Sequence, residues 1–226
     1  MILAFGGSLR ALSANAALAR AAAASAPGIV TLAPRLDALP YYDEDVESKG
    51  IPAAVAELRR SAFGASAFFF ATVRACAAAG TRHKHRPLLS RPRPPPPNAQ
   101  PEYNGFTSAA LKNAIDWLSR SGPEGVSPLK GKPFAVVSAG GGGGGMRAQR
   151  NIAAIAADFK MPQVGGEAPI AVKLYDGVQR FDPASGDLTD AAVQQQVGAL
   201  VAQLSAAASA HKAAAAAAAA AAAPAQ

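Results

Sequence analysis

One cysteine, Cys76, stands in the whole chain, so no internal disulfide can form, which agrees with a reducing compartment. Long apolar runs are missing too. No stretch of about 18 large apolar residues occurs, and the alanine-rich end is too weakly hydrophobic to read as a membrane span, so a soluble protein is expected. Ahead of Ile2, Leu3, Ala4 and Phe5 there is no charged leader with an apolar core and no Arg/Ser-rich transit segment, and a cytoplasmic location is expected. Acidic residues are absent from 73–100, where Arg74, Arg82, Lys84, Arg86, Arg91 and Arg93 lie. The formal net charge of +7 would by itself suggest a nucleic-acid or acidic-membrane partner. With that segment set apart, roughly +1 remains for everything else. The basic signal is local, and the fold itself is expected to have no nucleic-acid or membrane partner.

What the chain does have is apolar content in half of its 226 residues, enough for one sizeable core and a single α/β domain. Apolar runs of strand length occur at 2–5, 29–32, 67–71, 134–137 and 170–172. Helix-like stretches lie between them. Residues 15–26 are rich in Ala and Leu, and Leu111, Ala114, Ile115 and Leu118 repeat at the spacing of one helical face, with Thr107 or Ser108 as N-cap. Ile152, Ile155 and Phe159 repeat in the same way, as do Val193, Val197, Leu200, Val201 and Leu204. Strands alternating with helices predict an α/β fold, a doubly wound five-stranded parallel sheet with helices on both faces. Such a sheet binds ligands beyond the carboxyl ends of its strands, at the switch point in strand order. That directs attention to the loops after the first, third and fourth strands.

After the first run comes Gly6-Gly7-Ser8-Leu9-Arg10, with Ser13 and Asn15 at the mouth of a helix. A Gly turn into a helix N-terminus gathers unpaired amides suited to a phosphate, and Ser8, Arg10, Ser13 and Asn15 add donors and charge. Equally, Ser13 or Asn15 serves as an ordinary N-cap. The loop is not a P-loop, since no Lys-Ser or Lys-Thr follows the glycines. After the fourth run, Ser138 and Ala139 lead into Gly140, Gly141, Gly142, Gly143 and two further glycines. Six glycines satisfy Gly-x-Gly-x-x-Gly trivially, and the acidic residue expected about 20 positions on would be Asp158, inside a helical stretch.

The string Pro101-Glu102-Tyr103-Asn104-Gly105, followed by Leu111-Lys112-Asn113-Ala114-Ile115-Asp116-Trp117, resembles the NADPH-dependent FMN reductase family, which includes quinone and chromate reductases. The family's phosphate loop is matched by Gly7, Ser8, Arg10, Ser13 and Asn15, and its flavin-edge loop by Pro101, Glu102, Tyr103, Asn104 and Gly105. Its Gly-rich loop corresponds to Ser138, Gly140, Gly141, Gly142 and Gly143, where Gly replaces the usual Ser and Pro positions. Residues 39–45 resemble a family segment that commonly lies near the subunit interface. The resemblance implies a flavodoxin-like fold, bound FMN, NADPH or NADH as electron donor, and a quinone, flavin or metal oxyanion as acceptor. It also implies a homodimer or homotetramer and, because the cofactor carries the chemistry, no obligatory catalytic acid or base. A non-catalytic flavodoxin-type electron carrier or sensor would use the same phosphate logic.

Residues 73–100 interrupt this pattern, because in the family the third strand runs directly into the Pro-Glu-Tyr-Asn-Gly loop. Loops beyond about 15 residues are uncommon; this one holds Cys76, His83, His85 and a proline run at 94–97. A disordered Arg/Pro-rich insertion is expected there, and retained intron sequence is the favoured origin over a basic docking arm. Two histidines and one distant cysteine make an incomplete metal-ligand set, so no metal is expected. The domain is therefore expected over 1–205, interrupted at 73–100, with an Ala-rich low-complexity tail at 206–226.

Overall fold

A computed structural model describes residues 1–73, 106–174 and 176–221. The expectations for 74–100 and for Pro101, Glu102, Tyr103, Asn104 and Gly105 lie outside the described residues. In chain order the elements are β1 (Ile2–Gly6), α1 (Ala14–Ser25), β2 (Val30–Leu32), α2 (Glu44–Ser48), α3 (Ala53–Gly64) and β3 (Ala67–Val73). They continue with α4 (Ala109–Ser119), β4 (Phe134–Gly140), α5 (Met146–Asp158), β5 (Ala171–Lys173) and α6 (Ala191–Ala221). All strand pairs are parallel, in the order β2-β1-β3-β4-β5. The doubly wound α/β sheet is thus as expected, and the order reverses between β1 and β3.

The central strands are buried on both faces, which is why they read as continuous apolar runs and not as alternation. On β3, Phe68 and Phe70 face the α3–α4–α5 layer, whereas Phe69 faces the layer of α1 and α6. Phe5 and Phe70 meet at 5.3 Å between ring centroids, and Phe70 meets Phe134 at 6.2 Å. Val73 pairs with Ala139. It is the last residue of β3, so backbone pairing outlasts the apolar run at 67–71 that marked the strand and reaches the first position of the expected interruption. On the far side of the undescribed segment the Thr107 and Thr72 hydroxyls lie 2.7 Å apart and are buried. Sheet and α4 are therefore joined directly across the interruption.

Ser108 caps α4, its hydroxyl accepting from the Leu111 amide at 3.2 Å. Of the helices, α3 had no clear sequence signal. Its inner face carries Val55, Leu58, Arg59 and Ala62, and the buried arginine breaks the apolar period. Arg59 donates to the carbonyls of Trp117, Arg120 and Ser121 at 3.2, 2.8 and 3.0 Å and to Glu124 at 2.6 Å. It thereby satisfies the C-terminal carbonyls that α4 leaves open. α6 continues through the alanine-rich stretch to Ala221, burying nothing after Ala208 among the described residues. Alanine has the highest helix propensity, and extending an existing helix requires no new nucleus.

Lys132 caps α3 from outside, its Nζ donating to the carbonyls of Ala62 at 2.8 Å and Phe63 at 3.2 Å. Burial pushes its pKa down to about 8. The neutral amine keeps two N–H donors, enough for both carbonyls. Between about 8 and the unfolded value near 10.4 the unfolded chain therefore holds more protons, and stability rises with pH. We expect the native chain to gain stability relative to Lys132→Met as pH increases from 7.5 to 10, measured by urea denaturation. A difference between the two that stays constant with pH would contradict it.

Candidate functional site

The carboxyl ends of β1, β4 and β5 open onto a cleft of about 350 Å³. Ser8, Arg10, Ser13 and Asn15 all line it, together with Ala139 and a wall contributed by Lys173, Gln179 and Arg180. The first-loop residues are thus brought together as a group. Gly7 permits the loop's shape, because a Cβ there would lie 3.0 Å from the Ala71 carbonyl oxygen that accepts from the Gly7 amide. Ser13 is the N-cap of α1, accepting from the Ala16 amide at 3.3 Å. Its hydroxyl hydrogen stays available to an anion. The Ser8 hydroxyl accepts from the Arg10 amide at 3.4 Å.

Asn15 behaves differently. It is 3 % exposed, its Oδ1 accepting from the Ala139 amide at 2.9 Å and its Nδ2 donating to the Ala139 carbonyl at 3.1 Å. The side chain acts as one peptide unit of a neighbouring strand, which leaves a single amide hydrogen for any ligand. Asn15 therefore serves first as the bolt between the β1 loop and the end of β4.

The fourth-strand residues are not gathered into this cleft. Ser138 is fully buried, donating to the Gly144 carbonyl at 2.6 Å and accepting from Gln149 Nε2 at 2.8 Å. The hydroxyl of Ser138, expected among the cofactor-binding residues, is thus engaged inside and shapes the glycine loop. Gly140 and Gly141 are buried, whereas Gly142 and Gly143 are exposed. The glycine that the turn requires is Gly144, at φ +59°, where a Cβ would stand 2.5 Å from the Ala171 carbonyl oxygen.

Sequence reasoning missed the β5 wall and Gln149. Gln149 also donates to the Ile170 carbonyl at 2.8 Å, tying α5, β4 and the start of β5 together. Arg180 pairs with Asp176 at 2.7 Å and Asp190 at 3.4 Å, and its guanidinium holds the Asp176 carboxyl at a pKa of about 2. The segment between β5 and α6 is tied to α1 through Arg20, which pairs with Asp187 at 2.7 Å. Lys173 carries a signal, since it ends a strand at the same sheet edge, but only the strand order puts β5 beside the cleft. No cluster of His, Cys, Asp and Glu fit for a metal occurs among the described residues. No helix among them is long and apolar enough to cross a membrane.

Comparison with known proteins agrees with this geometry. The profile of the NADPH-dependent FMN reductases matches residues 99–173. A rice protein, the probable NADPH:quinone oxidoreductase 1 of Oryza sativa subsp. japonica, is 30% identical over 206 residues, covering 88% of this chain and 87% of its own. An NAD(P)H-dependent FMN reductase of Pseudomonas aeruginosa is 35% identical over 153 residues, covering 67% of this chain and 66% of its own. Among solved structures, the flavoenzyme NAD(P)H:(acceptor) oxidoreductase FerB of Paracoccus denitrificans superposes with a TM-score of 0.65 at 23% identity, over 90% of this chain and 96% of that one.

Gly144→Ala is expected to lower stability by about 1–3 kcal/mol, the cost of a strained backbone conformation, with the clash against Ala171 added to it. Urea denaturation reads this directly. A variant as stable as the native chain would mean that the glycine turn is not fixed in this form.

Proposed function

The chain belongs to the NADPH-dependent FMN reductase family, and on that footing we propose that it passes two electrons from NAD(P)H through FMN to a quinone. It is an FMN-dependent NAD(P)H oxidoreductase of flavodoxin-like fold. A non-catalytic carrier is not favoured, because the relatives are named for turnover. The observation that supports the site assignment best is the meeting of Ser8, Arg10 and Ser13 in one cleft at the mouth of α1. Two hydroxyls, one guanidinium and the first amides of a helix suit a phosphate dianion, so the donor set fits the phosphate end of FMN.

When bound, FMN supplies the hydride and electron chemistry. The residues of the chain bind and orient. Arg10, Ser8 and Ser13 neutralise and hold the phosphate; Asn15, through Ala139, fixes that loop against β4. Ser138 and Gln149 set the glycine loop, which we assign, with Gly140, Gly141, Gly142 and Gly143, to the flavin ring. Glu102, Tyr103, Asn104 and Gly105, with Pro101 at the loop's start, are assigned to the ring edge. Free flavin or a metal oxyanion would serve as acceptor by the same chemistry.

We assign the assembly as a homodimer or homotetramer in the cytoplasm. Tyr41, 81 % exposed, marks its contact face. The segment around it is held rigid: Asn113 and Trp117 both donate to the Pro40 carbonyl, at 2.9 and 2.8 Å, and the Tyr42 amide donates to Asn113 at 2.8 Å. This accounts for the Asn and Trp of the α4 motif, four residues apart on one face. We assign one domain over 1–205, interrupted by an insertion at 73–100, with a low-complexity tail at 206–226.

A variant lacking residues 74–100 is expected to purify with FMN, to oxidise NADPH in the presence of a quinone, and to bind FMN more tightly than the full chain. Fluorescence titration of both forms with FMN in one buffer tests this. A folded variant that stays inactive with FMN added would refute the functional reading, whereas equal FMN affinities would make the insertion a compatible part of the protein.

Arg10→Ala and Ser13→Ala are expected to weaken FMN binding by about 1.5–3 kcal/mol for a charge-assisted contact, with turnover of the FMN-saturated enzyme little changed. Unaltered FMN affinity in both would remove them from the phosphate site.

A further inference from the structure

A second cleft, of about 400 Å³, lies on the β2 side of the same first loop. Its floor is made of small side chains. Its walls include Leu9 and Leu32, which are 55 % and 45 % exposed, large apolar side chains facing an open space. Arg10, Arg20 and Arg35 also line it, against one carboxylate, Asp37. Flat apolar walls beside a cluster of guanidinium groups suit a ligand with an aromatic base at one end and a phosphate beside it.

Arg35 is the group best placed to read that phosphate. Its side chain is 82 % exposed, and it grips Asp37 through one edge, Nε and Nη2, with Nε to Oδ1 at 3.0 Å. Those bonds occupy two of the five guanidinium donors and leave three. Both bonds run to the Asp37 carboxylate, which orients the fork, and the same contact holds that carboxyl below its usual range. Arg20 is braced in the same way by Asp187, through Nε at 3.0 Å and Nη2 at 2.7 Å. Position agrees with chemistry: Arg35 follows β2 at the carboxyl edge of the sheet, the edge at which doubly wound sheets take their ligands.

We propose that this cleft binds the adenosine end of NADPH, with the base against Leu9 and Leu32 and the 2′-phosphate on Arg35 with Arg20 beside it, so that Arg35 sets the choice of NADPH over NADH. The inference rests on the reading of the chain as an NAD(P)H oxidoreductase, and deepens it. An unphosphorylated ribose offers Arg35 only a neutral hydroxyl, whereas a phosphate dianion gains a forked, charge-assisted contact from it.

The test uses the full chain saturated with FMN, and two probes that differ only in the 2′-phosphate, 2′,5′-ADP and 5′-ADP. Calorimetric titration is expected to give at least tenfold tighter binding of 2′,5′-ADP, and Arg35→Gln to abolish that advantage, with Arg35→Glu reversing it. Retention of FMN by the variants reports that the fold is intact. In steady state, the ratio of kcat/KM for NADPH over NADH should fall at least tenfold in Arg35→Gln, through KM. Equal binding of the two probes, or an advantage that survives in both variants, overturns the proposal. A native protein that oxidises neither nucleotide would instead defeat the functional reading, while the 2′,5′-ADP titration still judges the cleft.

Discussion

Parallel strands of unequal reach leave peptide groups at the sheet edge with nothing to pair, and at the end of β4 that deficit is met by one carboxamide. Asn15 supplies both an acceptor and a donor to Ala139, at 2.9 and 3.1 Å, in a place where an unpaired buried amide and carbonyl would each cost about 1–3 kcal/mol. Because Asn15 sits in the first turn of α1, the same contact fixes where that helix begins. Ser13 then falls at the cap, and Ser8 and Arg10 are carried to the rim of the cleft. The first loop and the sheet core are therefore one construction: the group that completes the strand pairing also sets Ser8, Arg10 and Ser13 around the cleft.

Much of this was open to view in the amino-acid order. The five strands were legible because buried parallel strands are unbroken apolar runs, as at Phe68, Phe69 and Phe70. The first loop was legible because Gly7, Ser8 and Ser13 announce a turn into a helix. What escaped reading escaped for physical reasons. Arg59 on the inner face of α3 looks like a solvent residue until its carbonyl partners at the end of α4 are seen, and those are about sixty residues away in the chain. The inward bond of Ser138 was not legible, since a serine before a glycine run has the same appearance whether or not its hydroxyl turns in to Gly144. Lys173 and Arg180 gained their place only from the strand order, which puts β5 next to β4 at the working edge.

Basic side chains recur as caps supplied from a distance. Arg59 closes α4 and Lys132 closes α3, each from a neighbouring segment. In each case a helix whose own last turn has no basic residue receives its positive group from elsewhere in the layer, which complements the dipole and ties two elements together. These contacts all lie on the α3–α4 side of the sheet, away from the cleft wall built by Lys173, Gln179 and Arg180. Basic groups among the described residues thus occupy two separate places, one holding the helical layer together and one lining the cleft.

The long last helix gives the molecule two unlike poles. His211 on α6 lies 3.7 Å from where a Cβ on Gly131 would be, and Gly131 precedes β4, so α6 leaves the body at the amino edge of the sheet. From Ala208 to Ala221 it extends about 20 Å at the usual rise per residue. The cleft opens at the other edge. A helix that departs from the pole opposite the cleft is a natural handle: joined to a surface, a second enzyme or an electrode through it, the protein would stand with the cleft lined by Ser8, Arg10 and Ser13 turned outward.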